Sequence, residues 1–139
     1  MRYQVFGRDT CLRIFGLVLR TGSFGARWGH GTHPDEVPRM VDGYADAGGN
    51  FIDTSGSYKF SESEELFGEF LQGRRDDFVL ATKFTNNASP KAGIFATGNS
   101  RKSMVPAAGA SLRRPMMSKR EIQRRIAGGG LDLPTVPVT

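Results

Sequence analysis

The sequence predicts an α/β fold in which a parallel sheet is covered by helices. Three observations carry this. Apolar strand-like and amphipathic helix-like segments alternate as strand–helix–strand–helix–strand between residues 17 and 83. The strand-like segments are apolar nearly throughout, as in strands buried on both faces. The connections are a few residues long, so right-handed crossovers put successive helices on the same side of the sheet.

In chain order, Tyr3, Val5 and Phe6, then Leu12 and Ile14, flank Gly7-Arg8-Asp9-Thr10. Two short extended pieces around such a turn form a β-hairpin. Leu17-Val18-Leu19 is the first parallel strand and runs into a loop with Gly22, Gly25, Gly29 and Gly31. Residues 34–47 read as a helix. Pro34 suits its first turn, Asp35 and Glu36 suit the positive end of its dipole, and Val37, Met40, Val41 and Tyr44 recur at helical spacing. Pro38 lies near enough to the start to be tolerated, and Gly48-Gly49 stops the helix. Phe51-Ile52-Asp53-Thr54 is the second strand. Residues 61–72 form a second helix, in which Ser61 and Glu64 match a capping box and Leu66, Phe67, Phe70 and Leu71 make the apolar stripe. Residues 78–83 are the third strand. A Gly/Asn/Ser loop follows at 86–98. Residues 100–114 have helical character interrupted by Pro106 and Gly109; an interior proline costs ~3 kcal/mol. A basic helix is expected over 116–126, then an end frayed by Gly128-Gly129-Gly130, Pro134 and Pro137. The organisation is a β/α domain over residues 1–114 and a basic, Gly/Pro-containing tail over 115–139, disordered or loosely helical.

With 139 residues the chain has the size of one ordinary domain. The longest apolar run near the start, residues 14–19, is far short of the ~20 residues of a membrane helix. It is also shorter than the roughly 7–15 residues of a secretory signal. A cytoplasmic protein without a membrane partner is expected. The single cysteine, Cys11, excludes an internal disulfide and a multi-cysteine zinc site. Net charge is +5, but residues 1–100 carry 11 Lys/Arg against 12 Asp/Glu, while residues 101–139 carry 8 against 2. The basic block reads as a solvated tail, with non-specific polyanion binding as the competing use. It has no aromatic residue over 101–125, so it lacks stacking platforms and no specific nucleic-acid partner is expected.

In parallel β/α folds reactive groups gather at the C-terminal ends of strands. Asp53, Lys83 and Tyr58 have that placement. An ammonium beside a phenol stabilises the phenolate, which suits the phenol to general-acid work, and a carboxylate holds and balances the ammonium. From spacing alone, a turn cap, a solvated lysine and a loop aromatic remain the competing uses. His30, His33 and Asp35 suggest a metal site less readily than solvated loop residues, and no metal is expected. Gly22-x-x-Gly25 lacks the G-K-[ST] of a phosphate loop and reads as a turn. Trp28 lines a substrate mouth or packs locally.

The stretch "GGNFIDTSGSYKFSESEELFGEFLQGRRDDFVLATKF" resembles the aldo-keto reductases. There a strand ends in Asp, a Tyr follows after a short loop, an S-E-x-x-x-G helix comes next, and a strand ends in T-K. The matching residues are Asp53, Tyr58, Ser63-Glu64 to Gly68, and Thr82-Lys83. "GLVLRTGSFG" resembles the family's first strand and glycine loop, and "GNSRKSMV" the start of its third helix, so the resemblance covers residues 1 to about 114. It implies the N-terminal part of a (β/α)8 TIM barrel: about three β/α units after a small hairpin, with the barrel not closed. It implies reduction of a small carbonyl substrate with NADP(H), or NAD(H). Tyr58 would be the general acid, tuned by Lys83 and Asp53. Gly22, Ser23, Phe24 and Asp53 would be the cofactor-side residues, and Asn87 a substrate-side residue.

The departures carry information too. Arg20 stands where the family usually has Gly, and Pro38, Pro106 and Pro115 fall on ordinary helix formers. The match ends past "SLRRP", and no His follows His33 to serve as the His that ends the family's fourth strand. The expectation is a truncated or frameshifted form with a foreign basic tail, with little or no cofactor binding or activity of its own. The alternative is a non-catalytic remnant that needs a partner chain over its exposed strand edges to fold.

Overall fold

In the computed structural model, residues 2–86, 93, 94 and 96–116 are described. An antiparallel hairpin of β1 (Tyr3–Val5) and β2 (Arg13–Phe15) opens the chain, with Gln4 opposite Ile14. A three-stranded parallel sheet follows, built from β3 (Leu19–Arg20), β4 (Phe51–Asp53) and β5 (Val79–Ala81) in sequence order. Between them run α1 (Val37–Asp46) and α2 (Glu62–Phe70), and α3 (Arg101–Met116) comes after the sheet. Among the described residues the sheet stays open, with β3 and β5 as its edges. No helix of these residues is long and apolar enough to cross a membrane.

The period-two alternation of a strand sorts the side chains. Leu19, Ile52 and Leu80 stand side by side in register and face the helices. There they join Phe24, Val37, Val41, Phe67, Leu71 and Phe78 in one core. Both helices supply that core through the same strand face, so both lie on one side of the sheet, as right-handed crossovers require. Phe24 stacks on Phe67, with ring centroids 5.7 Å apart. On the opposite face Phe51 meets Phe6 of the hairpin at 5.3 Å. The hairpin thus covers the N-terminal end of that face and leaves the C-terminal end open. Tyr44 ties α1 to the sheet: its hydroxyl lies 2.7 Å from the Leu17 carbonyl and 2.8 Å from that of Phe51. A side chain at Gly49 would place its Cβ 2.3 Å from the Tyr44 ring, so this turn needs glycine.

Four expectations are corrected. The first parallel strand is Leu19–Arg20 rather than 17–19. Leu17 and Val18 are exposed, because β3 pairs on one side only. The first turn of the 34–47 helix is a separate 3-10 turn, Pro34–Glu36. Ser61 and Glu64 do not form a capping box. Ser61 lies in the left-handed region and donates to the Gly56 carbonyl at 2.9 Å, while Glu64 is engaged elsewhere. Finally, α3 runs unbroken through Pro106 and Gly109. It packs on α2 through buried Ser111 and an Arg114–Glu64 ion pair, and tertiary packing outweighs the lost helical bond. The basic helix expected at 116–126 and nearly all of the 115–139 tail lie outside the described residues.

Candidate active site

The strand register that builds the core also builds the site. Arg20 is paired with Asp53, and Asp53 with Ala81, so these positions share the face opposite the core. Lys83, two residues past Ala81, comes back to that face. Its ammonium lies 2.6 Å from each Asp53 carboxylate oxygen and 3.1 Å from the Thr54 carbonyl. The same ammonium sits 5.1 Å from the centroid of the Tyr58 ring. Asp53, Tyr58 and Lys83 are therefore brought together at the C-terminal ends of the strands. The cation at the phenol oxygen itself is Arg20, whose Nε donates to Tyr58 Oη at 3.1 Å. That bond foremost, with the charge of Asp53 adding to it, raises the Arg20 pKa above the ordinary arginine value.

Side chains of the alternate parity face α2 and form a buried polar layer above the core. Thr21 Oγ1 donates to Thr54 Oγ1 at 2.9 Å, and the Ser63 hydroxyl lies 2.7 Å from Thr21 Oγ1. Glu64 is fully buried. Its Oε1 accepts from Thr82 at 2.7 Å and its Oε2 pairs with Arg114 at 2.7 Å. This layer fixes the ends of all three strands to α2 and therefore fixes the Tyr58 loop between them. Beside it a cavity of about 220 Å³ lies against α3, with Lys83, Lys102 and Arg114 in its wall. It touches the site at Lys83 and not at the phenol.

The segment after Tyr58 is strained. Lys59, Phe60 and Ser61 have φ of 52°, 54° and 73°, a left-handed run of non-glycine residues that costs about 1–2 kcal/mol each. The buried Lys59 ammonium compensates by donating to the His30 carbonyl and lying 4.8 Å from the Trp28 ring centroid. Arg27 adds a second tie, with its backbone N–H on Glu62 at 2.8 Å and its guanidinium on Glu65 at 2.6 Å. Phe60 is half exposed, with an edge contact to Trp28. Phe60→Gly is expected to stabilise the fold by about 1 kcal/mol, read as a higher midpoint in thermal circular dichroism. A lower midpoint would show that the Trp28 contact outweighs the strain.

Among the cofactor-side residues, Gly22 faces the ring of Tyr58: a Cβ there would lie 3.8 Å from Tyr58 Cζ and 3.9 Å from Arg20 Nε. A Cβ at that position would be in ordinary van der Waals contact with the phenol ring. Ser23 is exposed in the same loop. Phe24 follows them in the loop, with its side chain buried in the core. Asn87 lies outside the described residues. Trp28, 42% exposed, packs against Lys59 and Phe60. His33 and Asp35 form an exposed pair at 3.2 Å, and the described residues contain no cluster of three metal-ligating side chains. Arg20 was not among the expected site residues. The signal for it was a charged residue ending an apolar strand, on the parity of Asp53.

At its strand ends this one-sided β/α layer carries a Lys–Asp pair beneath a tyrosine. The aldo/keto reductase family model matches residues 17–119, and the chain belongs to that family. It is 36% identical over 124 residues to norsolorinic acid reductase B of Dothistroma septosporum, covering 82% of this chain and 31% of that protein. It is 37% identical over 90 residues to aryl-alcohol dehydrogenase [NADP(+)] of Phanerodontia chrysosporium, covering 60% of this chain and 23% of that protein. The fold superposes on an aldo-keto reductase of Bacillus halodurans in its holo form with a TM-score of 0.69 and 27% identity, covering 84% of this chain and 37% of that one. The chain thus spans about a quarter to a third of the length of these curated relatives, and the solved structures it resembles are TIM barrels.

Proposed function

We propose that these residues perform the proton-delivering half of NADP(H)-dependent carbonyl reduction, with Tyr58 as the general acid. The observation that carries this is the Lys83 ammonium, held on both oxygens of Asp53 and placed under the Tyr58 ring. Family membership and the NADP(+)-named relative support the cofactor. Gly22, next to the Tyr58 ring, and exposed Ser23 are the residues that would hold the nicotinamide end of the cofactor. When bound, a nicotinamide supplies the hydride. Tyr58 then donates its hydroxyl proton to the carbonyl oxygen as that oxygen gains charge. Lys83 stabilises the phenolate left behind, and Asp53 keeps Lys83 in place. A small aromatic carbonyl compound is the proposed substrate, supported by the aryl-alcohol relative.

The test follows NADPH absorbance with benzaldehyde. Turnover by this chain is expected to be slow, because positioning by the rest of a barrel supplies much of the rate. Lys83→Met should lower it by about ten- to hundredfold, the share of a charge–phenolate attraction of several kcal/mol that survives pairing with Asp53. A variant as fast as the parent overturns this reading.

A further inference from the structure

We propose that Arg20 makes this site select carbonyl compounds that carry a carboxylate next to the carbonyl, 2-oxo acids, with the carbonyl oxygen on Tyr58 and the carboxylate on the guanidinium. The inference rests on the reading of Tyr58 as the group that meets the carbonyl. Charge is the first argument. Asp53 is engaged on both oxygens by Lys83, and Arg20 has no carboxylate within ion-pair distance among the described residues. One positive charge is therefore left over, and it lies at the reacting oxygen.

Donor geometry is the second argument. A guanidinium has five N–H groups in a planar fork. Arg20 uses Nε on Tyr58, and its side chain is exposed at the strand end, so the outer edge of the fork is accessible. Such an edge takes a carboxylate by paired, charge-assisted hydrogen bonds. Because Arg20 touches Tyr58 Oη itself, the two donor groups are immediate neighbours. A 2-oxo acid presents its ketone oxygen and its carboxylate from adjacent carbons and matches that spacing, whereas a carboxylate further along a chain does not. Arg20 also accounts for the hydroxyl's orientation. With Oη accepting from Nε, the phenol's own hydrogen remains for the substrate.

The experiment compares phenylglyoxylate with its methyl ester, the same ketone without the charge. Binding to the 139-residue chain is measured by ligand-observed NMR titration at low salt. The parent is expected to bind the acid at least about tenfold more tightly than the ester. Arg20→Leu should remove the preference, and Arg20→Lys should keep part of it, with folding of each variant followed by circular dichroism. Tyr58→Phe should keep the preference, so this result is independent of whether Tyr58 delivers the proton. Equal affinity for acid and ester in the parent, a preference that survives Arg20→Leu, or no binding of either compound overturns the proposal. The parent comparison decides even if Arg20→Leu fails to fold.

Discussion

Tyr58→Phe is expected to reduce carbonyl turnover about 10²- to 10⁴-fold, to the level of the uncatalysed mixture. The substitution deletes one oxygen and its proton and leaves the ring. Lys83 keeps its three partners on Asp53 and Thr54, so the charges beneath the ring stay arranged as they are. The other partner of the hydroxyl, Arg20, is exposed and returns to water. The thermal midpoint should therefore stay where it is while the rate collapses, which separates loss of the acid from loss of the fold. Single-turnover NADPH oxidation with the same aldehyde checks this. Turnover that survives in the phenylalanine variant would place the proton donor elsewhere, in a water or a second side chain.

The part of this site that was legible in the sequence was legible through placement, because reactive groups gather at the C-terminal ends of parallel strands. Asp53 and Lys83 stand at two such ends, and the parallel register with its period of two then brings them to one face. Tyr58 was legible through the resemblance, because no periodicity predicts where a loop side chain points. Arg20 obeys the same parity as Asp53, but its partner is 38 residues away and its contact depends on the conformation of the Tyr58 loop. That loop is the least readable part of the chain. Nothing in the local preferences of Lys59, Phe60 or Ser61 predicts three consecutive left-handed residues; the ties from Trp28, His30 and Arg27 impose them. The failed capping box has the same origin. Ser61 and Glu64 are the right residues at the right spacing, yet each finds a better partner outside the helix. Pro106 shows the rule on a larger scale, since a helix that local preference would break is held by its contacts with α2.

Arg114→Ala is expected to lower stability by about 3–5 kcal/mol, the cost of leaving a buried charge without its partner. Glu64 has no exposed surface, and Arg114 supplies its only cation among the described residues. Thr82 remains as a neutral donor to the other oxygen and cannot balance the charge. In chemical denaturation the midpoint should fall with little change in slope. Adding Glu64→Gln to Arg114→Ala should recover much of the loss, because a neutral amide can keep the Thr82 contact without an uncompensated charge. A cost below about 1 kcal/mol would mean that water reaches Glu64 and that the pair behaves as a surface contact. The consequence extends to chemistry. Thr82 is the residue before Lys83, so the Glu64 clamp holds the strand end that delivers the ammonium to Asp53 and Tyr58. The single variant should lose turnover along with stability at temperatures where it is still folded, and the double variant should regain both.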